Sequence, residues 1–348
     1  MRAITLEPGV AGSARLDRID EPARDPALLH VRVRAVGVCG TDIELMEGRY
    51  GWAPPGKRRL VIGHESLGVV EDAPPGSGFK AGDLVAGIVR RPDPAPCPNC
   101  AAGEWDMCIN GRYTEHGIKE VDGFAAERVQ IEPRFAVRVD AALGLCGVLT
   151  EPTSVVAKAW EHIERLGRRA VWTPRRVLVT GAGPIGLLAA LLGVQRGLEV
   201  TVLDRVADGV KPDLVRALGA RYTSKPVEDL DYAPDIVLEC TGVPAVLLGA
   251  MTRAAANGIV CLTGVSSGGH ALSFDLGALN RSMVLENEVV FGSVNANTRH
   301  YRAAAEALAR ADRAWLERLI TRRVPLEHWQ DAYARRDGDV KTVLLLGD

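Results

Sequence analysis

The sequence predicts an α/β protein in which a doubly wound parallel sheet is joined to a mainly β, barrel-like domain. Three observations support this fold class: many short strand-like runs early in the chain, a glycine-rich strand, turn and helix unit in the middle, and alternating strands and helices after it. The chain has 348 residues, more than one domain usually contains, so we expect two domains.

The composition excludes several classes of function. Hydrophobic residues make up 47% and charged residues 25% of the chain, as in soluble globular proteins. A net charge of -2 provides no basic surface for nucleic acid or an anionic membrane, so a small molecule is the expected partner. The chain starts without the apolar segment of a secretion signal, and no apolar run is long enough to span a bilayer, which favours the cytoplasm. In a reducing compartment, cysteines are better explained as metal ligands or core thiols than as disulfides.

The beginning of the chain predicts the β domain. Short runs rich in Val, Leu and Ile lie at residues 29–36, 60–62, 68–71 and 84–89. Turns that contain glycine and proline separate these runs closely, for example at residues 54–56. Many short strands between such turns are typical of a barrel-like domain. We therefore expect the first part of the chain to differ in architecture from the middle.

Two further segments mark the end of this β-rich part. Residues 90–108 contain four prolines and three cysteines, which indicates a lobe that projects from the core. Residues 150–166 have a helix-forming composition, with Pro152 near the start and an apolar stripe at helical spacing. We interpret this helix as the bridge between the domains. The predicted boundaries are a first domain of residues 1–155, completed by 298–348, and a second domain of residues 156–297.

The middle of the chain contains a complete unit for binding a dinucleotide. A β-branched run ends at Gly181, and Gly183 and Gly186 complete the pattern G-x-G-x-x-G before an apolar helix. The glycines allow a tight turn, close approach of the backbone to a pyrophosphate and close packing of helix on sheet. The start of the helix offers free N–H groups to the phosphates. A second strand ends at Asp204, where a carboxylate can bind an adenosine ribose, so this unit predicts a Rossmann-type domain.

Strands and helices alternate after this unit, which extends the parallel sheet. Strands are predicted at residues 235–239, 258–262 and 289–294, and helices at residues 211–218 and 245–255. The last part of the chain predicts helices at residues 301–310 and 312–321 and a strand at residues 341–346. A terminal strand far from its own sheet would leave backbone groups unpaired, so we expect it to return to the first domain.

Cysteine, histidine and carboxylate residues at the ends of strand-like runs form a candidate metal site. Cys39 begins the segment Cys-Gly-Thr-Asp, His64 precedes Glu65, and Glu151 begins the bridging helix. Such a donor set suits zinc with one position left for water or substrate, and that zinc would polarise an alcohol oxygen. Considered alone, Cys39 is better explained as a small buried residue and His64 as a structural one. The prediction therefore depends on the combination.

The combination of Cys-Gly-Thr-Asp and Gly-His-Glu segments with a later G-x-G-x-x-G unit resembles the zinc-dependent medium-chain alcohol dehydrogenase family over nearly the whole chain. The resemblance implies that the first domain is GroES-like. It also implies that Cys39 and His64 hold a catalytic zinc, and that Glu65 can join its ligands. In the same way, Thr41 would relay the substrate proton, and Asp42 would orient the histidine by fixing the imidazole tautomer.

Within that family, the chain is most similar to the microbial glucose (aldose) 1-dehydrogenases. The similarity lies in Gly117-Ile118, Asp122-Gly123-Phe124, Glu151-Pro152, Phe291-Gly292-Ser293-Val294-Asn295, His300-Tyr301, residues 281–285 with Asn287, and Val340-Lys341-Thr342. It implies that Glu151 binds metal or substrate, that Glu115 and Asn295 contact sugar hydroxyls, and that Asn295 also lies beside the nicotinamide. Ordinary explanations stay open, with Glu115 as a solvated loop residue and Asn295 as a turn former.

Asp204 and Arg205 bear on the choice of dinucleotide. Relatives that use NADP carry small or basic residues here, whereas an acidic residue repels a 2′-phosphate and binds both ribose hydroxyls. We therefore expect NAD to be preferred, while Arg205 leaves NADP open as an alternative. The expected cofactor contacts are Gly181, Gly183, Pro184, Ile185, Gly186, Asp204, Arg205, Thr241, Gly264 and Asn295.

The lobe departs from the pattern of many family members, which have four cysteines for a structural zinc. Cys97, Cys100 and Cys108 match three of the positions, but Pro94 occupies the first and cannot bind metal through its side chain. A lobe zinc would need Asp93 or water as its fourth ligand, and the sequence leaves open whether the lobe binds zinc. Two other cysteines, Cys240 directly after one predicted strand and Cys261 within another, belong to strand-like runs and are expected to be core residues.

Together, these features predict an enzyme that oxidises the C1 hydroxyl of an aldose, most simply D-glucose, to the aldonolactone with zinc and NAD(P). The motifs determine the reaction class better than the substrate, so a polyol, threonine or simple alcohol dehydrogenase is an alternative. A nucleotide- or zinc-binding protein without catalysis is a second alternative, although it would have no need for an open metal site. Family analogy and exposed sheet edges favour a homodimer or homotetramer.

Overall fold

Internal contacts divide the chain into two units in the computed structural model, which describes residues 1–266, 268 and 271–347. The first unit comprises Met1–Ser154 and Asn295–Asp348, and the second comprises Val155–Val294. The helix Thr150–Gly167 contains the first boundary between them.

Strands and helices are distributed along the whole described chain. The strands are β1 (Arg2–Leu6), β2 (Arg15–Arg18), β3 (Leu29–Val38), β4 (Leu60–Val61), β5 (Glu65–Asp72), β6 (Leu84–Gly87), β7 (Arg90–Arg91), β8 (Thr114–His116), β9 (Glu120–Val121), β10 (Arg128–Ile131), β11 (Ala136–Val139), β12 (Arg176–Thr180), β13 (Glu199–Leu203), β14 (Arg221–Thr223), β15 (Ile236–Glu239), β16 (Ile259–Leu262), β17 (Val289–Gly292), β18 (Arg322–Pro325) and β19 (Thr342–Leu345). The α-helices are α1 (Gly40–Met46), α2 (Pro98–Ala101), α3 (Thr150–Gly167), α4 (Pro184–Gln195), α5 (Val210–Ala217), α6 (Pro244–Thr252), α7 (Leu276–Glu286), α8 (Thr298–Ala309), α9 (Arg313–Leu319) and α10 (Trp329–Tyr333). Short 3₁₀ segments lie at Trp105–Met107, Pro133–Phe135, Ala141–Leu149, Val227–Asp229 and Leu326–His328. Within these described residues, no helix combines the length and the apolar character needed to cross a bilayer.

The first unit is built around a mostly antiparallel sheet with the strand order β11-β6-β5-β3-β19-β18, and β10 also pairs with β3. Along most of β3, buried residues alternate with half-buried ones, as in a strand with one face on the core. Val31, Val33, Val70 and Val85 from this sheet pack into the main hydrophobic cluster of the unit. This is the mainly β architecture that the closely spaced turns predict.

The strand register of this sheet brings the candidate metal ligands together. Gly37 near the end of β3 pairs with Glu65 at the start of β5. Cys39 directly follows β3 and His64 directly precedes β5, so both lie at the same end of the sheet. The first residue of β19 pairs with the last residue of β3, which adds Lys341 to this end.

The second unit is a parallel sheet with the strand order β14-β13-β12-β15-β16-β17, with helices between most of its successive strands. The order reverses between β12 and β15, and a doubly wound sheet binds its ligand at the carboxyl ends of strands beside such a reversal. All of β15 and most of β12 are buried, as expected for strands covered on both faces. The prediction of a Rossmann-type sheet is therefore confirmed.

Some predicted elements end early, and one helix escapes the sequence pattern. The strand expected at residues 84–89 ends at Gly87, and the strand expected at 289–294 ends at Gly292. Helix α7 begins after the N-cap residue Asp275 and is exposed along most of its length. Without an apolar stripe packed on a core, the helix lacks the periodicity by which the other helices are recognised.

Candidate active site

Cys39, His64 and Glu65 form a compact cluster of metal-binding side chains in the first unit. One ligand atom of each residue lies within 4.8 Å of the others. The Cys39 Sγ atom is 3.0 Å from the His64 Nε2 atom, and both His64 and Glu65 are buried. A thiol, an imidazole and a carboxylate are donors that zinc accepts in sites with an open position. The cluster therefore fits zinc in both its chemistry and its spacing.

The start of α1 holds Cys39 and Asp42 in position. Cys39 is the N-cap residue, because the Thr41 N–H donates to its Sγ atom at 3.3 Å and its own N–H donates to Asp42 Oδ2 at 2.9 Å. The other oxygen of Asp42, Oδ1, lies 3.4 Å from His64 Nδ1. A carboxylate beside Nδ1 leaves Nε2 directed at Cys39 and available to a metal. Asp42 is thus located where the resemblance implies a residue that orients the histidine.

The charges around His64 favour a cation in the cluster. Burial lowers the pKa of His64, but the neighbouring Cys39 and Asp42 raise it by more, so that the pKa lies well above its ordinary value. An opposite charge nearby stabilises the positive form of the ring. The same negative surroundings would stabilise a divalent cation between the side chains.

Glu65 is held by a buried lysine. Lys341 forms an ion pair with Glu65, and each side chain is at most 2% exposed. The Lys341 Nζ atom also donates to the Val38 carbonyl oxygen at 2.9 Å. Burial lowers the pKa of Lys341, but Glu65 and Cys39 raise it by more, so the pKa is raised overall. Lys341 therefore stays charged and positions one oxygen of Glu65.

Glu151 lies at the start of α3, outside the group formed by Cys39, His64 and Glu65 among the described residues. Burial and the Glu65 carboxylate raise the pKa of Glu151 to about 7. The two carboxylates are therefore near enough to interact. This position keeps both as candidates for a further zinc ligand, as the resemblance implies.

Glu115 and Asn295, expected to bind substrate, form a second polar group in the first unit. The Asn295 Nδ2 atom donates to Glu115 Oε1 at 2.6 Å. Arg90 Nε and Nη2 both lie 3.0 Å from the same oxygen, and Arg90 and Glu115 are buried. No residue in the described part of the chain donates a hydrogen bond to Glu115 Oε2. Glu115 is therefore not the solvated loop residue of the ordinary explanation, and one oxygen is left for a ligand.

Asn295 has features of both explanations given for it. Its backbone φ is 62°, in the left-handed region that asparagine tolerates in turns. Its side chain nevertheless bonds Glu115, so the turn directs the amide at the carboxylate.

Arg90 and Lys341, which fix Glu115 and Glu65, were not predicted. Their partners are set by strand register over long sequence separations, which single-sequence patterns do not show.

The three cysteines of the lobe lie close together. Ligand atoms of Cys97, Cys100 and Cys108 lie within 4.8 Å of one another, and Asp93 is outside this group among the described residues. The Asp93 carboxylate instead accepts hydrogen bonds from the Ala95 N–H and the Asn110 side chain, at 2.8 Å each. Hydrogen bonds from the backbone N–H groups of Ile109 and Cys100 lower the pKa of Cys97 to about 6. The thiolate form that binds metal is therefore accessible at neutral pH.

The glycine loop of the second unit has the close contacts that its pattern predicts. Gly181 has a φ of 89°, and a Cβ atom on Gly186 would lie 1.8 Å from the Gly181 carbonyl oxygen. A Cβ on Gly183 would meet nothing within 4 Å, so the backbone there is open to a ligand. Asp204 Oδ2 accepts a hydrogen bond from the Ala182 N–H at 2.7 Å, and Lys211 Nζ lies 3.5 Å from the same oxygen. The loop and the acidic residue therefore form one connected surface.

The other residues expected to contact the cofactor lie around this loop. Pro184 and Ile185 form the first turn of α4. The Thr241 N–H donates to Glu239 Oε1 at 2.8 Å, and a Cβ on Gly264 would lie 2.2 Å from the Gly242 nitrogen. Arg205 is exposed beside Asp204. Cys261 is buried in β16, and burial raises the pKa of Cys240 to about 12, as expected for unreactive thiols.

The two units and the metal-binding cluster define a medium-chain dehydrogenase of the alcohol dehydrogenase type. The family of alcohol dehydrogenase GroES-like domains matches residues 25–141. The family described as glucose dehydrogenase C-terminus matches residues 144–346, more than half of the chain. The chain belongs to the glucose dehydrogenase family.

Individual relatives agree with this assignment. The chain is 41% identical to glucose 1-dehydrogenase of Thermoproteus tenax, with 99% of each chain covered. It is 39% identical to glucose 1-dehydrogenase 1 of Caldivirga maquilingensis, over 99% of this chain and 98% of the relative. Among solved structures, Haloferax mediterranei glucose dehydrogenase in complex with NADP, Zn and gluconolactone is similar, with a TM-score of 0.92, 31% identity and complete coverage of both chains.

Proposed function

We propose that this protein is a zinc-dependent dehydrogenase that transfers hydride from C1 of an aldose, D-glucose first of all, to NAD(P) and releases the aldonolactone. The observation that carries the proposal is the cluster of half-buried Cys39 with buried His64 and Glu65. The Glu115 carboxylate, which Arg90 and Asn295 hold with one oxygen unused, supports a polyhydroxylated substrate. The name and bound ligands of the Haloferax relative agree with this reaction.

Different residues of the first unit would bind the zinc and transfer the proton. Cys39 and His64 would hold the zinc together with a carboxylate, Glu65 or Glu151. When bound, zinc supplies Lewis-acid chemistry that lowers the pKa of a substrate hydroxyl. Asp42 keeps the His64 ring in the tautomer that binds metal. Thr41, whose N–H already bonds Cys39, would carry the hydroxyl proton away, with a carboxylate as the alternative acceptor.

Substrate recognition would fall to Glu115, Asn295 and Glu151. Carboxylate and amide oxygens accept hydrogen bonds from sugar hydroxyls, and the Asn295 amide also donates one to Glu115. Arg90 forms a buried ion pair with Glu115 from the protein side, so the charge of the carboxylate is compensated. Recognition of this kind favours substrates with several hydroxyls over simple alcohols.

The second unit would bind the dinucleotide on its glycine loop, and the nicotinamide supplies the hydride acceptor. Gly181, Gly183 and Gly186 give the backbone approach that a pyrophosphate needs. Asp204 favours the free ribose hydroxyls of NAD, whereas Arg205 and Lys211 add positive charge that suits a 2′-phosphate. We therefore propose NAD as the preferred cofactor and NADP as an accepted one, as in the NADP complex of the Haloferax relative.

A direct test compares the wild-type protein with Cys39→Ala. The wild type should reduce NAD at 340 nm with D-glucose, and Cys39→Ala should lose nearly all turnover because the cluster loses its thiolate. Cys146→Ala, which removes a buried thiol of the same unit, is the matched control and should keep its activity. Full turnover by Cys39→Ala would refute the proposal. A panel of D-glucose, D-galactose, D-xylose, sorbitol and L-threonine separates aldose oxidation from the polyol and threonine alternatives.

For the lobe we propose a second zinc position on Cys97, Cys100 and Cys108. Water is the better fourth ligand, because the Asp93 carboxylate already accepts hydrogen bonds from Ala95 and Asn110. Elemental analysis of the purified protein should then give two zinc ions per chain, and the variant Cys100→Ser should give one. One zinc in both proteins would assign the metal to the Cys39 cluster alone.

We also propose that the protein assembles as a homodimer or homotetramer through the second unit. Strand β17 is the last strand of the described sheet, and its residues are half-buried or exposed. Leu276, Val284 and Leu285 of the preceding helix are each at least 60% exposed, which leaves apolar surface near an open strand edge. Light scattering after size-exclusion chromatography measures the number of subunits. A monomer at micromolar concentration would contradict this proposal.

Two assignments from the sequence are carried forward as proposals. The catalytic domain is residues 1–155 completed by 298–348, and the dinucleotide-binding domain is residues 156–297. The cytoplasm is the proposed compartment, since all seven cysteines are free thiols in the structure.

A further inference from the structure

Two large aromatic side chains, Tyr50 and Trp52, lie at the surface of the first unit. Tyr50 is 39% exposed and Trp52 is 46% exposed. Their ring centroids are 5.1 Å apart in an edge-to-face arrangement, so they form one continuous aromatic surface. Exposed aromatic rings that pack on each other instead of entering a core commonly mark a binding surface.

The backbone fixes Trp52 against the turn that carries Glu115. The Trp52 N–H donates to the Ile118 carbonyl at 3.0 Å, and the Glu120 N–H donates to the Trp52 carbonyl at 3.0 Å. The same turn closes on Glu115, whose N–H donates to the Lys119 carbonyl at 2.8 Å. The aromatic rings are therefore attached to the element that presents the candidate substrate-binding carboxylate.

A chain of ring and cation contacts connects Trp52 with the buried Arg90 and Glu115 pair. The Lys119 Nζ atom lies 5.8 Å from the centre of the Trp52 ring and 4.4 Å from the centre of the Tyr113 ring. The Arg90 guanidinium lies 3.7 Å from the same Tyr113 ring and binds Glu115. Burial and the Glu115 carboxylate also raise the pKa of Tyr50, in agreement with their closeness.

We propose that Trp52 and Tyr50 form an aromatic platform that packs against the C–H face of a pyranose ring while Glu115 and Asn295 bind its hydroxyls. This inference rests on the proposed function and adds to it the residues that contact the face of the sugar ring. A pyranose has hydroxyls around its edge and C–H groups on its face. The negative face of an aromatic ring attracts such C–H groups, and their contact removes apolar surface from water. Polar groups beside an aromatic surface match this pattern of a saccharide.

The platform gives the enzyme a preference for cyclic aldoses over open-chain polyols. Sorbitol is polyhydroxylated like glucose, but it is an open chain and has no ring face to stack. A hydrophobic protein partner would fit the aromatic rings, but it would leave the unused oxygen of Glu115 without a hydrogen bond. The combination of both features therefore favours a cyclic sugar as the occupant.

The test uses the full-length protein and the variants Trp52→Ala, Trp52→Phe and Tyr50→Ala. We expect Trp52→Ala to raise the KM for D-glucose about tenfold with little change in kcat, because one stacking contact is lost. Trp52→Phe keeps an aromatic face and should recover most of the affinity. The KM for sorbitol, where turnover is measurable, should not change. Phe274→Ala removes an equally exposed ring from the second unit, 47% exposed, and is the matched control.

Tryptophan fluorescence provides a readout that does not depend on turnover. Titration of D-glucose without cofactor should quench the fluorescence of the wild type, and the quenching should disappear in Trp52→Phe. An enzyme that oxidises glucose with unchanged KM and quenching in Trp52→Ala and Tyr50→Ala overturns the platform while leaving the proposed function intact. An enzyme that oxidises no aldose overturns the proposed function. In that case the platform is still supported if glucose quenches the fluorescence of the wild type but not that of Trp52→Phe. The platform is overturned if both proteins are quenched alike.

Discussion

Arg90 is a buried cation with a defined partner, and its removal should affect stability and substrate binding in different ways. It places two nitrogen atoms 3.0 Å from one oxygen of Glu115. Because breaking a buried pair leaves one charge without compensation, Arg90→Met should lower the free energy of unfolding by about 3 kcal/mol. The same change should raise the KM for D-glucose at least tenfold, since Glu115 loses its position. Urea denaturation and steady-state kinetics measure the two effects.

A second substitution separates these effects. The double variant Arg90→Met with Glu115→Gln removes both charges, so most of the lost stability should return. The KM should stay high, because the carboxylate proposed to accept the sugar hydroxyl is gone. Equal losses of stability in the single and double variants would show that the pair contributes packing only.

His116 should make the protein less stable in mild acid. Burial and the Arg91 guanidinium lower the pKa of His116 to about 3 in the folded protein. The unfolded chain, with an ordinary pKa near 6.5, takes up the proton first, so the free energy of unfolding falls as the pH drops below about 6.5. For a fully buried ring, this difference in pKa would lower the free energy of unfolding by about 2 kcal/mol at pH 5. Because the half-buried ring is partly screened by water, we expect a loss of about 1 kcal/mol.

The variant His116→Gln tests this pH dependence. Glutamine has an amide that can replace the contact of the ring with the Asp122 carbonyl, which is 2.6 Å from Nδ1. The variant should lose about 1 kcal/mol less stability than the wild type between pH 7 and pH 5, measured by urea denaturation at both values. Identical losses in the two proteins would show that other groups cause the acid sensitivity.

At the level of single residues, the sequence showed the donors more clearly than the residues that hold them. Cys39, His64 and Glu65 stand in recognisable segments, and the structure brings their ligand atoms within 4.8 Å of one another. Their catalytic roles stay predictions. Arg90 stood in no recognised segment, and Lys341 stood in one, Val340-Lys341-Thr342, without a predicted role. Both side chains acquire their partners from strand pairing, which the sequence alone does not show.

At the level of elements, the close pairing of β3 with β5 requires a glycine at position 37. A Cβ atom on Gly37 would lie 2.0 Å from Glu65 Oε2 and 2.9 Å from Lys341 Cε. Gly37→Ala should therefore displace Glu65 and reduce both zinc content and kcat, the latter by at least tenfold. Gly347→Ala, where a Cβ meets nothing within 4 Å, is the control. Wild-type zinc content and turnover in Gly37→Ala would show that the carboxylate position is not critical.

The sequence predicted those elements best whose pattern matches their burial. The strands β12 and β13 end directly before Gly181 and Asp204, where the sequence predicts their ends, since they are apolar runs that stop at clear turns. Helix α7 was missed, because its exposed apolar residues follow no stripe. A helix with such an apolar surface is stabilised by contacts outside its own segment, which is consistent with the proposed subunit contact.

At the level of the whole molecule, metal removal should reduce activity and stability together. A ligand that binds only the folded state stabilises it, so dialysis against a zinc chelator should lower the Tm and abolish glucose oxidation. Added Zn²⁺ should restore both. In Cys39→Ala, any remaining fall of the Tm on chelation reports the lobe cysteines alone. If prolonged chelation leaves the activity and the Tm of the wild-type enzyme unchanged, the metal assignment is contradicted.

The fold class was predictable for the whole molecule because two kinds of local pattern, short turn-bounded strands and the alternation of strands with helices, are each confined to their own part of the chain. Both families that match the chain confirm it. The identity of the sugar was less accessible to the sequence. The residues proposed to contact the sugar, such as Trp52 and Glu115, are brought together by backbone hydrogen bonds between separate segments of the chain.

The position of β19 affects how the protein folds during synthesis. This strand lies between β3 and β18, so the sheet of the first unit is incomplete until residues 342–345 leave the ribosome. The second unit, Val155–Val294, is finished earlier and has all of its strands in one continuous segment. We expect the second unit to fold first. The N-terminal strands, although synthesised earlier, keep unpaired edges until β19 is available. Chains truncated after residue 300 and released from the ribosome should therefore already bind a dinucleotide but depend on chaperones to keep the N-terminal part from aggregating.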